Sequence, residues 1–207
     1  MTNTVLNKDF TIYLLRHGNT VNNNVSTNGF FNGDEALTTS GVKEAEAAAE
    51  YIYKSRMSFD TIISSPLKRT FQTASIVADK LGATFLTCPD LREFDPGEWS
   101  NETIGSVVQR YNLIAKKDRP SFRPPGGESW TDIVERMKRA IANNFHEDGN
   151  ILIIGHAGPM LMLASSLLRR SADSWLDYNQ QKNAELWEIT TRNETTTLKI
   201  HDSYLLT

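Results

Sequence analysis

Cysteine is nearly absent: Cys88 is the only one in 207 residues. A lone cysteine excludes an internal disulfide and any cysteine-built metal cluster. Histidine is sparse too. The four present are scattered, with no His-Glu-x-x-His run and no close pair, so no zinc site is expected. No apolar run approaches the length of a transmembrane helix. The first nine residues are polar and lack the apolar core of a signal peptide, so 1–9 reads as a flexible leader and a cytoplasmic location is the default expectation. Basic excess is missing as well. Lys and Arg number 22 against 25 Asp and Glu, and a net charge of −3 provides no global field for nucleic acid. Any anion site must therefore be built locally. The length suits one ordinary domain, here 10–207, and nothing decides between a monomer and a homodimer.

What is present is a regular alternation of strand and helix signals. Apolar runs at Thr11–Leu15, Thr61–Ser64, Thr84–Thr87, Ile151–Ile154, Leu186–Thr190 and Thr197–His201 read as strands. Thr38 suits the cap of a helix over Thr39–Lys54, with Ala45, Ala48, Ala49 and Ile52 as its apolar stripe. Ser65 and Pro66 read as the N-cap and first position of a second helix ending at Gly82, its stripe formed by Leu67, Phe71, Ala74, Ala78 and Leu81. Ser129 and Asp132 suggest a capping box before Trp130, Ile133, Val134, Met137 and Ile141. The pattern predicts an α/β protein, a three-layer α/β/α sandwich around a mostly parallel sheet. The last two runs are spaced for a hairpin, which implies an antiparallel strand. Residues 94–128 show no clear period and are expected to form a lid or insertion.

Chemistry concentrates at strand ends. Arg16-His17-Gly18-Asn19 follows the first strand at once, and Gly155-His156-Ala157-Gly158-Pro159 follows the fourth. Ligands of open α/β sheets bind at the C-terminal ends of strands. An imidazole beside a permanent cation suits a phosphorylated anion. Pro159 fits the first position of a helix, whose free N–H groups would attract the same anion. Arg69 falls in the first turn of the helix after Ser65, where the dipole also favours an anion. Glu93, Asp95 and Glu98 are three acids in one turn-rich stretch, each a candidate proton donor.

Together these motifs resemble the histidine phosphatase superfamily, the phosphoglycerate-mutase-like clan. The resemblance rests on Leu15-Arg16-His17-Gly18, Ser64-Ser65-Pro66-Leu67-Lys68-Arg69-Thr70 with Gln72-Thr73-Ala74, Leu91-Arg92-Glu93 and Gly155-His156-Ala157-Gly158, in the family's order. Leu37-Thr38-Thr39-Ser40-Gly41 and Pro125-Gly126-Gly127-Glu128-Ser129 add to it. It implies that His17 becomes phosphorylated, that Arg16, Arg69 and His156 clamp the phosphoryl oxygens, and that Glu93 donates the proton to the leaving oxygen. Asn23 corresponds to a phosphate- or substrate-contacting position. Gly18, Asn19 and Ala157 are implied beside the substrate, although the family often has Glu or Gln where this chain has Asn19. No metal or other cofactor is implied, because side chains supply the cations.

The implied activity is that of a phosphatase acting on a small phosphorylated metabolite. A phosphoglycerate mutase is the alternative, but mutases carry a longer, more basic insertion, and only residues 94–155 separate Glu93 from His156. A non-catalytic phospho-ligand module is the remote alternative. Phe30, Phe31, Asn32 and the stretch from Arg119 to Arg123 would either meet the leaving group or pack on the surface.

Overall fold

The computed structural model describes residues 9–24, 33–144, 149–172, 174 and 181–206. Residues 1–8 of the expected leader, and Phe30, Phe31 and Asn32, lie outside them. Six strands form one sheet: β1 (Phe10–Arg16), β2 (Thr61–Ser64), β3 (Leu86–Thr87), β4 (Asn150–Gly155), β5 (Leu186–Arg192) and β6 (Thr195–His201). Their order is β3-β2-β4-β1-β5-β6. The first four pair in parallel, while β5 runs antiparallel to both β1 and β6. The sheet is therefore mostly parallel with one reversed strand, as the alternation of elements implies. The β5–β6 turn is the two residues Asn193 and Glu194, at φ 48° and 65°, the left-handed pair that matches the twist of a tight hairpin. Only Leu86 and Thr87 of the expected Thr84–Thr87 strand pair with β2.

The described helices are α1 (Val21–Asn24), α2 (Thr39–Lys54), α3 (Lys68–Leu81), α4 (Ile104–Asn112), α5 (Trp130–Asn144) and α6 (Ala157–Leu167). β1 and β4 are buried on both faces, as central parallel strands must be. Ile12, Leu14, Ile151 and Ile153 pack toward α5 and α6. Leu15, Leu152 and Ile154 pack toward α2 and α3. The alternation of side chains along each strand thus assigns two helices to each face and makes three layers.

Two helix starts differ from the sequence reading. α3 begins at Lys68 with Leu67 as N-cap, not with Ser65 and Pro66. The Ser65 hydroxyl is instead engaged with His156, as described below, and Ser65 offers its carbonyl to the Thr70 hydroxyl (2.9 Å). The buried stripe also differs from the expected one. Thr70, Thr73, Ala74, Val77 and Ala78 face the core, whereas Phe71 is 46% exposed and packs edge-on against Phe85. α6 begins at Ala157 with His156 as N-cap, so Pro159 stands third. Its missing N–H still falls in the first turn, where no backbone acceptor exists. The Thr38 cap of α2 and the Ser129–Asp132 capping box both form.

The 94–128 stretch contains more order than its sequence suggests. It holds α4 and short 3-10 turns, organised by aromatic rings. Tyr111 stacks on Trp130 (centroids 5.5 Å), Trp99 stacks on Phe122 (5.7 Å), and Tyr111 meets Phe94, Trp99 and Phe122 edge-on.

Candidate active site

β1 and β4 lie side by side with Arg16 opposite Gly155, and the chain leaves them toward opposite faces of the sheet. Such a divergence opens a crevice at the strand ends. His17 follows β1 and His156 follows β4. Their rings lie 5.4 Å apart, tilted by 61°. The His17 N–H donates to the Gly155 carbonyl (3.1 Å), which ties the two motifs together through backbone. Ser65 follows β2, the next strand over, and its N–H donates to Ile154 O (3.0 Å).

A cavity of about 190 Å³ occupies this crevice. Arg16, His17, Asn23, Arg69, Glu93, Ala157 and Gly158 line one end of it. His17 is buried, and its Nδ1 lies 2.7 Å from the Gly18 carbonyl. A carbonyl only accepts, so Nδ1 carries the proton and Nε2 keeps the lone pair. Burial, then the guanidinium groups of Arg16 and Arg69, hold the His17 pKa well below its ordinary value. The ring is neutral and nucleophilic at neutral pH.

His156 is fully buried, and its pKa is also well below the usual value, first through burial and then through Arg69. Arg69 Nη2 donates to His156 Nδ1 (3.1 Å), which leaves Nε2 to donate to Ser65 Oγ (2.9 Å). Arg69 also donates to Gly33 O (2.8 Å). Arg16 donates from Nη1 to Gln181 O (2.6 Å), while its buried Nε has no hydrogen bond among the described residues. Two guanidinium groups, two imidazoles and the first N–H groups of α6 thus converge on one volume, as an oxyanion requires.

Of the three acids in the turn-rich stretch, Glu93 alone lines this cavity. One of its oxygens accepts from the Phe94 N–H (2.9 Å), and the other lies 3.8 Å from His156 Nδ1. Asp95 accepts from Gly97 N, and Glu98 is exposed. The Glu93 carbonyl is held by Arg136, which also donates to Asp90 O (2.7 Å) and pairs with Glu128 (2.8 Å).

Asn23 lies on the wall. Its side-chain oxygen accepts from Thr20 N, Thr20 Oγ1 and Asn183 Nδ2, which fixes the amide and leaves its own Nδ2 with donor capacity to spare. Asn19 is not on the wall. Its backbone N–H donates to Glu44, and its side-chain oxygen accepts from Thr38 at the start of α2, so it anchors that helix instead of facing the cavity. Gly18 acts through its carbonyl and through its size: a Cβ there would stand 2.2 Å from Gly41 O, so the loop and α2 touch only because neither has a side chain at that point. Arg119 and Arg123 do not line the cavity. Arg119 donates to Ile114 O and Asn112 O, and Arg123 pairs with Asp132.

Several contributors escape the sequence reading. Ser65 holds His156. Asn183 Nδ2 donates to His17 O (3.1 Å) as well as to Asn23. Ala184, at φ 53°, donates its N–H to the same His17 carbonyl (3.2 Å), while its own carbonyl accepts from the Tyr204 hydroxyl (2.6 Å). A polar run before a strand was the only signal for these residues, and it names no role.

This strand-end geometry agrees with a direct family match. The model of the histidine phosphatase superfamily (branch 1) matches residues 12–203. The chain belongs to the histidine phosphatase superfamily. Among curated relatives of this superfamily member, 6-phosphofructo-2-kinase/fructose-2,6-bisphosphatase of Gallus gallus is 30% identical over 165 residues, covering 78% of this chain and 33% of that protein. The Homo sapiens enzyme 1 of that name matches to the same extent. The chain thus spans about a third of the length of these relatives. Among solved structures, a mycobacterial glucosyl-3-phosphoglycerate phosphatase with VO3 superposes at a TM-score of 0.75 and 25% identity, over 92% of this chain and 98% of that one. Phosphoserine phosphatase of Entamoeba histolytica in complex with phosphoserine superposes at 0.77 and 19% identity, over 94% and 98%. Among the described residues, no helix is long and apolar enough to cross a membrane, and no group of three or more His, Cys, Asp or Glu is arranged to hold a metal.

Proposed function

We propose that this histidine phosphatase hydrolyses a small phosphorylated metabolite, a phosphomonoester, through a phosphohistidine on His17. The observation that carries this reading is the neutral His17 ring. Its Nδ1 proton is fixed on Gly18 O, and two guanidinium groups stand beside it. The relatives named above include phosphatases of small phosphorylated metabolites, which supports the same reading.

Uncatalysed hydrolysis of phosphate monoesters is among the slowest biological reactions, so the barrier to be lowered is large. His17 Nε2 attacks phosphorus as the bond to the leaving oxygen breaks. Glu93 delivers a proton to that oxygen and releases a neutral alcohol. Water then attacks the phosphohistidine and passes a proton back to Glu93, which returns both groups to their starting states. Arg16, Arg69 and the Ala157 and Gly158 N–H groups stabilise the equatorial oxygens throughout. A bound dianion favours a proton on His156 Nδ1, and the Ser65 hydroxyl can then donate to Nε2 instead of accepting. His156 thereby offers an N–H to the phosphoryl group without carrying a net charge. Asn23 Nδ2 supplies a further donor. Residues 94–128 serve as the lid over the leaving-group side.

The test is chemical. Purified protein should release phosphate from a generic aryl phosphate in the presence of a chelator, because its cations are side chains. Quenched reactions should contain an acid-labile, base-stable phosphoenzyme. His17→Ala should lose the label and slow turnover by about four orders of magnitude or more. Retention of substantial turnover by His17→Ala rejects the nucleophile. Loss of activity in chelator, restored by a divalent cation, rejects metal independence. Phosphoryl transfer to an added alcohol in preference to water would indicate a mutase.

A further inference from the structure

The far end of the cavity differs in kind from the phosphoryl end. Phe94, Val107, Val108, Tyr111, Trp130 and Met162 form its wall. Tyr111 and Trp130 present stacked rings. Besides the Tyr111 phenol, which burial keeps neutral, the ionisable groups lining the cavity, among the described residues, are Arg16, His17, Arg69, Glu93 and Glu35. Both guanidinium groups are committed to the phosphoryl site. The group left over is an acid, Glu35, whose carboxylate accepts from Asn22 Nδ2.

Among the described residues, the segments that line the cavity supply no further cation. Residues 19–24 and 33–42 contain no Lys or Arg but carry Asp34 and Glu35. Residues 94–109 contain none either, and carry Asp95, Glu98 and Glu102. Of the flanking cations, Lys43 and Arg92 do not line the cavity, Arg92 donating to Pro89 O (3.3 Å), and others are paired. Arg110 pairs with Glu102 (2.9 Å) and lies over the Trp99 ring, Arg136 pairs with Glu128, and Lys68 pairs with Asp34 (3.9 Å).

From this asymmetry we infer that the substrate is the phosphate ester of an uncharged alcohol with an apolar, ring-sized body, selected against esters whose leaving group bears a carboxylate or a second phosphate. The inference rests on the phosphomonoesterase reading and narrows it. An acid-bearing leaving group would bring its charge against an apolar wall without a counter-ion, in a cavity whose remaining charged group is the acid Glu35. Burying an unpaired charge is costly, and a like charge nearby adds to that cost. A neutral ring loses little water from polar groups and gains contact with Tyr111, Trp130 and Phe94. Selectivity here is exclusion as much as attraction.

The test uses matched esters: 4-methylbenzyl phosphate, 4-carboxybenzyl phosphate and glycerol phosphate. The methylbenzyl ester should exceed each of the other two in kcat/KM by about tenfold or more. Val108→Lys places a cation on the wall at a position already 46% exposed, and should narrow the methylbenzyl-to-carboxybenzyl ratio severalfold. Equal or better use of the carboxybenzyl ester overturns the inference, as does glycerol phosphate matching the methylbenzyl ester or a Val108→Lys ratio equal to wild type. If no ester releases phosphate, the phosphomonoesterase reading fails on its own. Calorimetric binding of the methylbenzyl and carboxybenzyl phosphonates then reads the selectivity separately. The same tenfold preference supports it, and equal Kd values reject it.

Discussion

The two ends of the cavity are built by different means. The phosphoryl end is made of strand termini. His17, Ser65 and His156 each follow a strand of the central sheet, and backbone hydrogen bonds between adjacent strands hold their spacing. The far end is made of side chains. Rings from Phe94, Tyr111 and Trp130 line it, backed by Trp99 and Phe122, with no sheet among them. A site fixed by backbone can tolerate little displacement, as in-line phosphoryl transfer requires. A wall fixed by packed rings can be reshaped residue by residue without moving the nucleophile. On the proposed reading, the chemistry belongs to the strand ends and the choice of substrate to the 94–130 segment.

Glu93 stands where the two ends meet, since its carboxylate accepts from Phe94 N–H, the first residue of the apolar wall. It therefore offers the sharpest test of their separation. Glu93→Gln should slow phosphoenzyme formation from an alkyl phosphate by roughly two to four orders of magnitude, and far less with a nitrophenyl phosphate, whose leaving group needs no proton. Single-turnover kinetics isolates that step. Equal losses with both esters would mean that Glu93 is not the acid. If Asp95→Asn shows the leaving-group dependence instead, the carboxylate has been misassigned.

The next effect belongs to the phosphoryl end alone. Both active-site imidazoles have pKa values held well below the ordinary 6.5 by burial and neighbouring cations. In the unfolded chain they bind protons more readily than in the folded one. Stability therefore falls as pH drops through the unfolded pKa, with a limiting slope of about 1.4 kcal/mol per pH unit for each ring. Urea unfolding of wild type and His17→Ala between pH 7.5 and 5.5 should show a shallower decline in the variant. Identical declines would mean that His17 is not the source. The smallest effect concerns Ser65. Ser65→Ala removes the partner of His156 Nε2, worth about 1 kcal/mol, and should lower kcat/KM about tenfold. Unchanged kcat/KM would leave Ser65 no positioning role.

The same contrast explains what could be read from the sequence. Arg16, His17 and His156 were legible because each sits at the end of an apolar strand within a contiguous motif. Arg69 and Glu93 needed the resemblance to single them out. The aromatic wall was not legible. Its rings are spread from position 94, through a stretch without helical or strand period, to Trp130 at the start of the next helical stripe, and they meet only in three dimensions. Ser65 was misread because a Ser-Pro pair fits a helix start equally well, and the tertiary demand of His156 decided its use. Asn183 and Ala184 were hidden because a left-handed alanine is not a preference that sequence displays.

The turn at Ser203–Leu206 has a reach beyond its own size. The Tyr204 hydroxyl holds the Ala184 carbonyl, and the Ala184 N–H holds the His17 carbonyl. Two hydrogen bonds and one alanine thus join the far end of the described chain to the backbone of His17. A fusion or substitution near position 204 therefore bears on the backbone of position 17 through a linkage of three residues.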